Sequence, residues 1–180
     1  MEGVRANMKT NSIRDVLNLG FLNRCETLVI SGSIDSDMNA LAGALGMKAE
    51  REGASVISIN GGKLHEELAE DEEGGLRVVK LDGVAKPKLL IIQDVGITKL
   101  SPQQIRVVAQ LVTERINRSS TIITSAYTMG EWPLLLGASP EGKSLLRSLL
   151  IHARQVVIGS KDQMRKRKPA PLKLTMQAHV

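Results

Sequence analysis

Five short runs rich in β-branched residues, at 27–31, 55–59, 89–93, 121–125 and 155–158, constrain this chain of 180 residues more than any other feature of its sequence. They are continuously apolar rather than alternating, so each is expected to be a strand buried on both faces. Stretches of helical periodicity separate them, which predicts a parallel sheet covered on both sides. The expected architecture is therefore α/β, a three-layer sandwich around a five-stranded, mainly parallel sheet. Its length suits one such domain. We divide it into a lead-in segment (1–26), the α/β domain (27–160) and a basic, flexible tail (161–180).

The helices carry their own punctuation. Ser101-Pro102-Gln103-Gln104 reads as a capping box with Pro at the first helical position, followed by Ile105, Val108, Ala109, Val112 and Ile116 at helical spacing. Ser139-Pro140 opens another helix, with Leu145, Leu146, Leu149 and Leu150 expected on its buried side. Thr128 with Glu131 is expected to cap a short helix carrying Trp132 as a packing anchor. Residues 40–50 form a helix after the first strand, with Leu41 and Leu45 on one face. Six acids lie between Glu66 and Glu73 and are followed by Gly74-Gly75, the pattern of a solvated helix end and turn.

Composition narrows the function. One Phe, one Tyr and one Trp leave too few rings for an aromatic platform on which single-stranded nucleic acid would stack. Cys25 has no partner for a disulfide, and His65, His152 and His179 are scattered, so no Cys/His metal-ligand spacing exists. The polar stretch 1–14 lacks the apolar region of a signal peptide, and no run reaches the length of a membrane helix. A cytoplasmic protein without membrane contact is expected. The net charge of +5 is unevenly placed: residues 151–180 hold seven Lys or Arg against one Asp, leaving the first 150 near −1. Arg165, Lys166, Arg167 and Lys168 head a tail suited to a phosphate backbone.

In an open parallel sheet, ligands bind beyond the carboxyl ends of the strands. The loop after the first strand, Gly32-Ser33-Ile34-Asp35-Ser36-Asp37-Met38-Asn39, leads directly into a helix, where a phosphate-binding loop is expected. Such a loop needs a Lys for the β and γ phosphates and a Ser or Thr for magnesium. Here Asp37-Met38-Asn39 stands in place of Gly-Lys-Thr. Asp35 and Asp37 add carboxylates where a triphosphate brings negative charge, and like charges at that range repel by about 1 kcal/mol in water and by several in a partly buried site. The third strand ends in Gln93-Asp94, and the fourth in Ser125-Ala126.

The order of segments resembles the IstB/DnaC-type AAA+ ATPase domain, the family of transposition helpers and replicative-helicase loaders. The most specific stretch is Arg118-Ser119-Ser120-Thr121-Ile122-Ile123-Thr124-Ser125 followed by Gly130-Glu131-Trp132 and Gly137. Residues 13–46 and 53–68 match more weakly. The resemblance implies a P-loop NTPase core in which Gly32, Ser33, Asp35, Asp37, Met38 and Asn39 form the nucleotide loop. Met38 then falls on the P-loop Lys, Asn39 on its Thr, Gln93 and Asp94 on the Walker B Asp-Glu pair, and Ala126 on the sensor Asn. Arg147 falls one position from the expected arginine finger. By this resemblance, the segment that precedes the ATPase domain in that family is expected to be missing, and with it any recruitment or DNA contact it provides.

These departures converge on one site, which implies a catalytically inactive module with no cofactor. Its expected work is binding an active AAA+ relative, a helicase or a transposase, with assembly into an oligomer and DNA contact through the tail. Two other readings stay open. Residues 32–46 also resemble the first motif of DHH-family phosphoesterases, in which case Asp35, Asp37 and Asp94 would hold manganese. In an unorthodox ATPase using ATP and magnesium, Lys63 or Lys99 would replace the missing P-loop Lys.

Overall fold

Every apolar run becomes a strand: Thr27–Gly32 (β1), Val56–Asn60 (β2), Leu89–Val95 (β3), Ser120–Ser125 (β4) and Ala153–Ile158 (β5). The structure, a computed structural model, describes residues 10–32, 37–61, 81–96, 102–137 and 139–158. The acidic run at 66–73 and the basic tail lie outside the described residues, as do Ser101, Lys63 and Lys99.

The strands form one sheet in the order β2-β3-β4-β1-β5. All four pairings are parallel, in registers that set Val29 beside Ile123, Leu28 beside Arg154, Ile57 beside Leu90 and Ile91 beside Ile122. The inner strands β1 and β4 are buried throughout, while the edge strands β2 and β5 are mostly half-exposed. Burial of the whole run therefore holds for β1 and β4, whereas β2 and β5, each with a neighbour on one side only, depart from the expectation of burial on both faces.

Seven helices are described: Thr10–Leu17 (α1), Gly20–Asn23 (α2), Met38–Arg51 (α3), Leu81–Ala85 (α4), Pro102–Arg115 (α5), Trp132–Leu136 (α6) and Pro140–His152 (α7). On one face of the sheet, Leu90, Ile92 and Ile123 pack with Ile105, Val108 and Val112 of α5, Trp132 of α6, and Leu145 and Leu149 of α7. On the other, Leu28, Ile30, Leu89 and Ile91 pack with Val16, Phe21 and Leu22 of the lead-in and with Met38, Ala42 and Leu45 of α3. Three layers result. Helix α3 sits close because its inner face is small: a Cβ added at Gly46 would lie 2.7 Å from Ile91 Cδ1. None of the described helices is long and apolar enough to cross a membrane.

The cap expected at Ser101 lies outside the described residues, the one at Ser139 is formed, and the Thr128–Glu131 pair and Leu150 differ from expectation. Ser139 is the N-cap of α7, its Oγ accepting from Gly142 N at 3.0 Å, with Pro140 following it. Thr128 donates its N–H and hydroxyl to Glu131 Oε2 at 2.8 and 2.9 Å, but Glu131 itself occupies the N-cap position of α6. The box closes the turn ahead of the helix. Leu150 departs from expectation more plainly, being 60% exposed. It lies about 140° around the helix from Leu145, outside the stripe that faces the sheet.

Two polar assemblies tie the layers together away from the strands' carboxyl ends. Asp15 accepts from Arg24 and from Arg154 Nη1 (2.8 Å), and Arg154 Nη2 also lies 2.8 Å from Glu26 Oε2, joining α1 to β5. The guanidinium of Arg115 is buried and donates to Thr121 Oγ1, Ala85 O and Ser120 O at 3.0, 2.7 and 2.6 Å. Burial lowers its pKa to about 10, so it stays charged at neutral pH among neutral acceptors.

Candidate functional site

The chain order of the sheet reverses around β1, which lies between β4 and β5, so the crevice at its carboxyl end is where this architecture places ligands. Helix α3 begins there, and the ends of β3 and β4 lie beside it. Gly32 closes β1 and is buried. Ser33 and Asp35 lie outside the described residues. Asp37 is exposed at the N-cap position of α3, with no side-chain cap hydrogen bond, although its carbonyl accepts from Leu41 N at 2.8 Å.

Met38 is the first residue of α3 and is only 3% exposed. Its side chain belongs to the core cluster shared with Leu28, Ile30 and Ile91 rather than to the crevice. Asn39, one residue on, is half-buried and faces the strand ends.

There Asn39 enters a closed ring of three hydrogen bonds. The Thr124 hydroxyl donates to Asn39 Oδ1 at 2.6 Å, Asn39 Nδ2 donates to Asp94 Oδ1 at 2.7 Å, and the Asp94 N–H donates back to Thr124 Oγ1 at 2.9 Å. The bonding is mutually consistent. An ionised carboxylate only accepts, so the Asn39 amide must turn its nitrogen to Asp94, which leaves its oxygen for the Thr124 proton. Each such bond contributes about 0.5–1.5 kcal/mol net, and about 1.5–3 where a charged group takes part.

A backbone irregularity brings Asp94 into this ring. Ile92 pairs with Ile123, but the next pairing is Val95 with Ser125, so β3 carries one extra residue. Asp94 adopts φ 61° there, and Gly96 follows at φ 96°. Strict alternation would put Asp94 on the face of Leu90 and Ile92, toward α5; the bulge turns it to α3 instead. The left-handed conformation costs a non-glycine residue about 1–2 kcal/mol, less for Asp, and the ring offsets it. The positive φ is what favours glycine at position 96, where no Cβ is set against the backbone.

A second set of hydroxyls completes the edge. Ser31 Oγ donates to Tyr127 O at 3.1 Å, Ser125 Oγ donates to Val95 O at 2.8 Å, and Trp132 Nε1 reaches Tyr127 O at 3.3 Å. Trp132 is buried and acts as the packing anchor expected of it.

The other candidate residues divide between this edge of the sheet and the layer behind it. Gln93 is half-buried, and Ala126 packs at the margin of the α3-side core. Arg147 is exposed on α7, in the layer across the sheet from α3. Of the three Asp residues considered for manganese, Asp37 and Asp94 are described, and among the described residues no three His, Cys, Asp or Glu side chains converge on a metal position. Arg165, Lys166, Arg167 and Lys168 lie outside the described residues. Thr124 joins the site although the sequence assigns it no role there. Its signal was a hydroxyl inside the buried run Ile122-Ile123-Thr124-Ser125, which in such a strand must find a partner.

A family model described as IstB-like ATP binding protein matches residues 4–170. The insertion sequence IS5376 protein of Geobacillus stearothermophilus, named for ATP binding, is 30% identical over 141 residues, covering 78% of this chain and 56% of its own length. The insertion sequence IS21 counterpart of Pseudomonas aeruginosa is 23% identical over 156 residues, 87% of this chain and 59% of its own. The chain thus spans little more than half the length of these two relatives. Among solved structures, DnaI superposes with a TM-score of 0.70 at 18% identity, covering 85% of this chain and 87% of DnaI. The DnaC helicase loader gives 0.64 at 22%, covering 84% and 92%. The fold is that of the P-loop NTPases of AAA+ type.

Proposed function

This chain belongs to the family of IstB-like ATP-binding proteins, and from that premise we propose that it is a member without nucleotide hydrolysis, acting by binding in a transposition- or replication-type assembly. Met38 carries the reading. The family's mechanism needs an ammonium at the start of α3, and here that position holds a thioether 3% exposed in the core. No cation from it balances a triphosphate, and Asp37 adds negative charge at the same helix end. The residues present do not fit magnesium with ATP.

The partners proposed with it are an active AAA+ relative, a helicase or a transposase in the cytoplasm, in an oligomer, and, from the charge of the tail, DNA at Arg165, Lys166, Arg167 and Lys168. Titrating ATP with magnesium into the full chain tests the central point. A ligand at a hundred times its Kd stabilises by about 2.7 kcal/mol, which in a chain of this size raises Tm by about 5–10 °C. We expect a rise below about 1 °C and no phosphate release. A rise of several degrees, or steady turnover, would return the chain to the active ATPases.

A further inference from the structure

We infer that the ring of Asn39, Asp94 and Thr124 takes the place of a bound cation and nucleotide, fixing the start of α3 against β3 and β4 with bonds the chain makes by itself. This deepens the proposed function and rests on it. The argument is one of matched donors and acceptors. Were this a cation site, the oxygens of Asn39, Asp94 and Thr124 would converge with free lone pairs on a common centre. Instead, Asp94 Oδ1 is 2.7 Å from an amide donor and Asn39 Oδ1 is 2.6 Å from a hydroxyl donor. The Thr124 oxygen gives its proton to one partner and takes the Asp94 N–H from the other.

The elements joined are those that meet at the carboxyl edge of the sheet. Asn39 is the second residue of α3, Asp94 sits in the β3 bulge, and Thr124 is fully buried in β4 beside Ile30. The bulge with its left-handed Asp94 persists because the ring holds it. The carboxyl edge is consequently set in a single arrangement, independent of magnesium.

Thermal melting of the full chain, in EDTA and in millimolar magnesium without nucleotide, tests this. The natural protein is expected to melt at the same temperature in both. Asn39→Asp sets a second carboxylate against Asp94; it should melt several degrees lower in EDTA and recover in magnesium, turning a cation-independent protein into a cation-dependent one. Thr124→Val removes two of the three bonds at nearly constant volume, and should lower Tm by about 3–6 °C in either condition. Asp94→Asn keeps both the acceptor and the tolerance for positive φ, and should melt within about 2 °C of the natural chain. Magnesium alone raising the natural protein's Tm by several degrees would overturn the inference, as would an unchanged Tm for Thr124→Val. Stabilisation seen only when ATP accompanies magnesium would instead overturn the proposed function, so the two failures are distinguishable. If Asn39→Asp does not fold, the natural protein and Thr124→Val still decide the outcome.

Discussion

Asp15 is a half-exposed carboxylate whose acidity is set by hydrogen bonds from Arg24, then Arg154, which together lower its pKa from 3.8 to about 2. A carboxyl with a depressed folded pKa adds stability that is complete above its unfolded value and lost as pH falls through the folded one. The difference in Tm between the natural protein and Asp15→Asn should therefore hold steady above about pH 5, narrow as pH falls below 3.8, and vanish only well below the folded value of about 2. A gap that persisted undiminished down to about pH 1 would mean that packing, not charge, is what Asp15 contributes. This network was invisible in the sequence, since Asp15 and Arg154 are 139 positions apart and nothing local marks them as a pair. Met38 was the opposite case: its position in the loop could be read directly, and only its burial in the core had to be seen.

Helices and strands were legible where a local cause fixed them. Continuous runs of β-branched residues marked the five strands to within a few residues, because their side chains favour the extended backbone locally. Ser139 and Pro140 marked the start of α7 because an orphan N–H at a helix end needs an acceptor close in sequence. Replacing Ser139 by Ala should cost about 1 kcal/mol, lowering Tm by about 2–4 °C, with the chemical denaturation midpoint shifted and its slope unchanged. The bulge in β3 and the outward turn of Leu150 were not legible. The first depends on what lies beside the element, β4, and the second on which stripe of α7 the sheet covers, that of Leu145 and Leu149.

For the molecule as a whole, charge distribution and topology make separate statements. The body is near neutral and the tail strongly basic, so the proposed DNA contact should show the salt dependence of phosphate neutralisation. Affinity for duplex DNA, followed by fluorescence anisotropy, is expected to fall steeply with salt. Changing Arg165, Lys166, Arg167 and Lys168 to Ala should flatten the logarithmic slope by about 3. An unaltered slope would remove the tail from the interface.

Residue order alone determined the α/β class, the strand sequence, most caps, the family, and the identities that stand at the nucleotide loop, because each is written in contiguous residues whose periodicity and chemistry act over a few positions. Tertiary structure decided the strand order β2-β3-β4-β1-β5 and the meeting of Asn39, Asp94 and Thr124. Those three residues are separated by 55 and 30 positions, and a hydrogen bond forms only where the packing of α3 on β3 and β4 has already brought donor and acceptor within 3 Å.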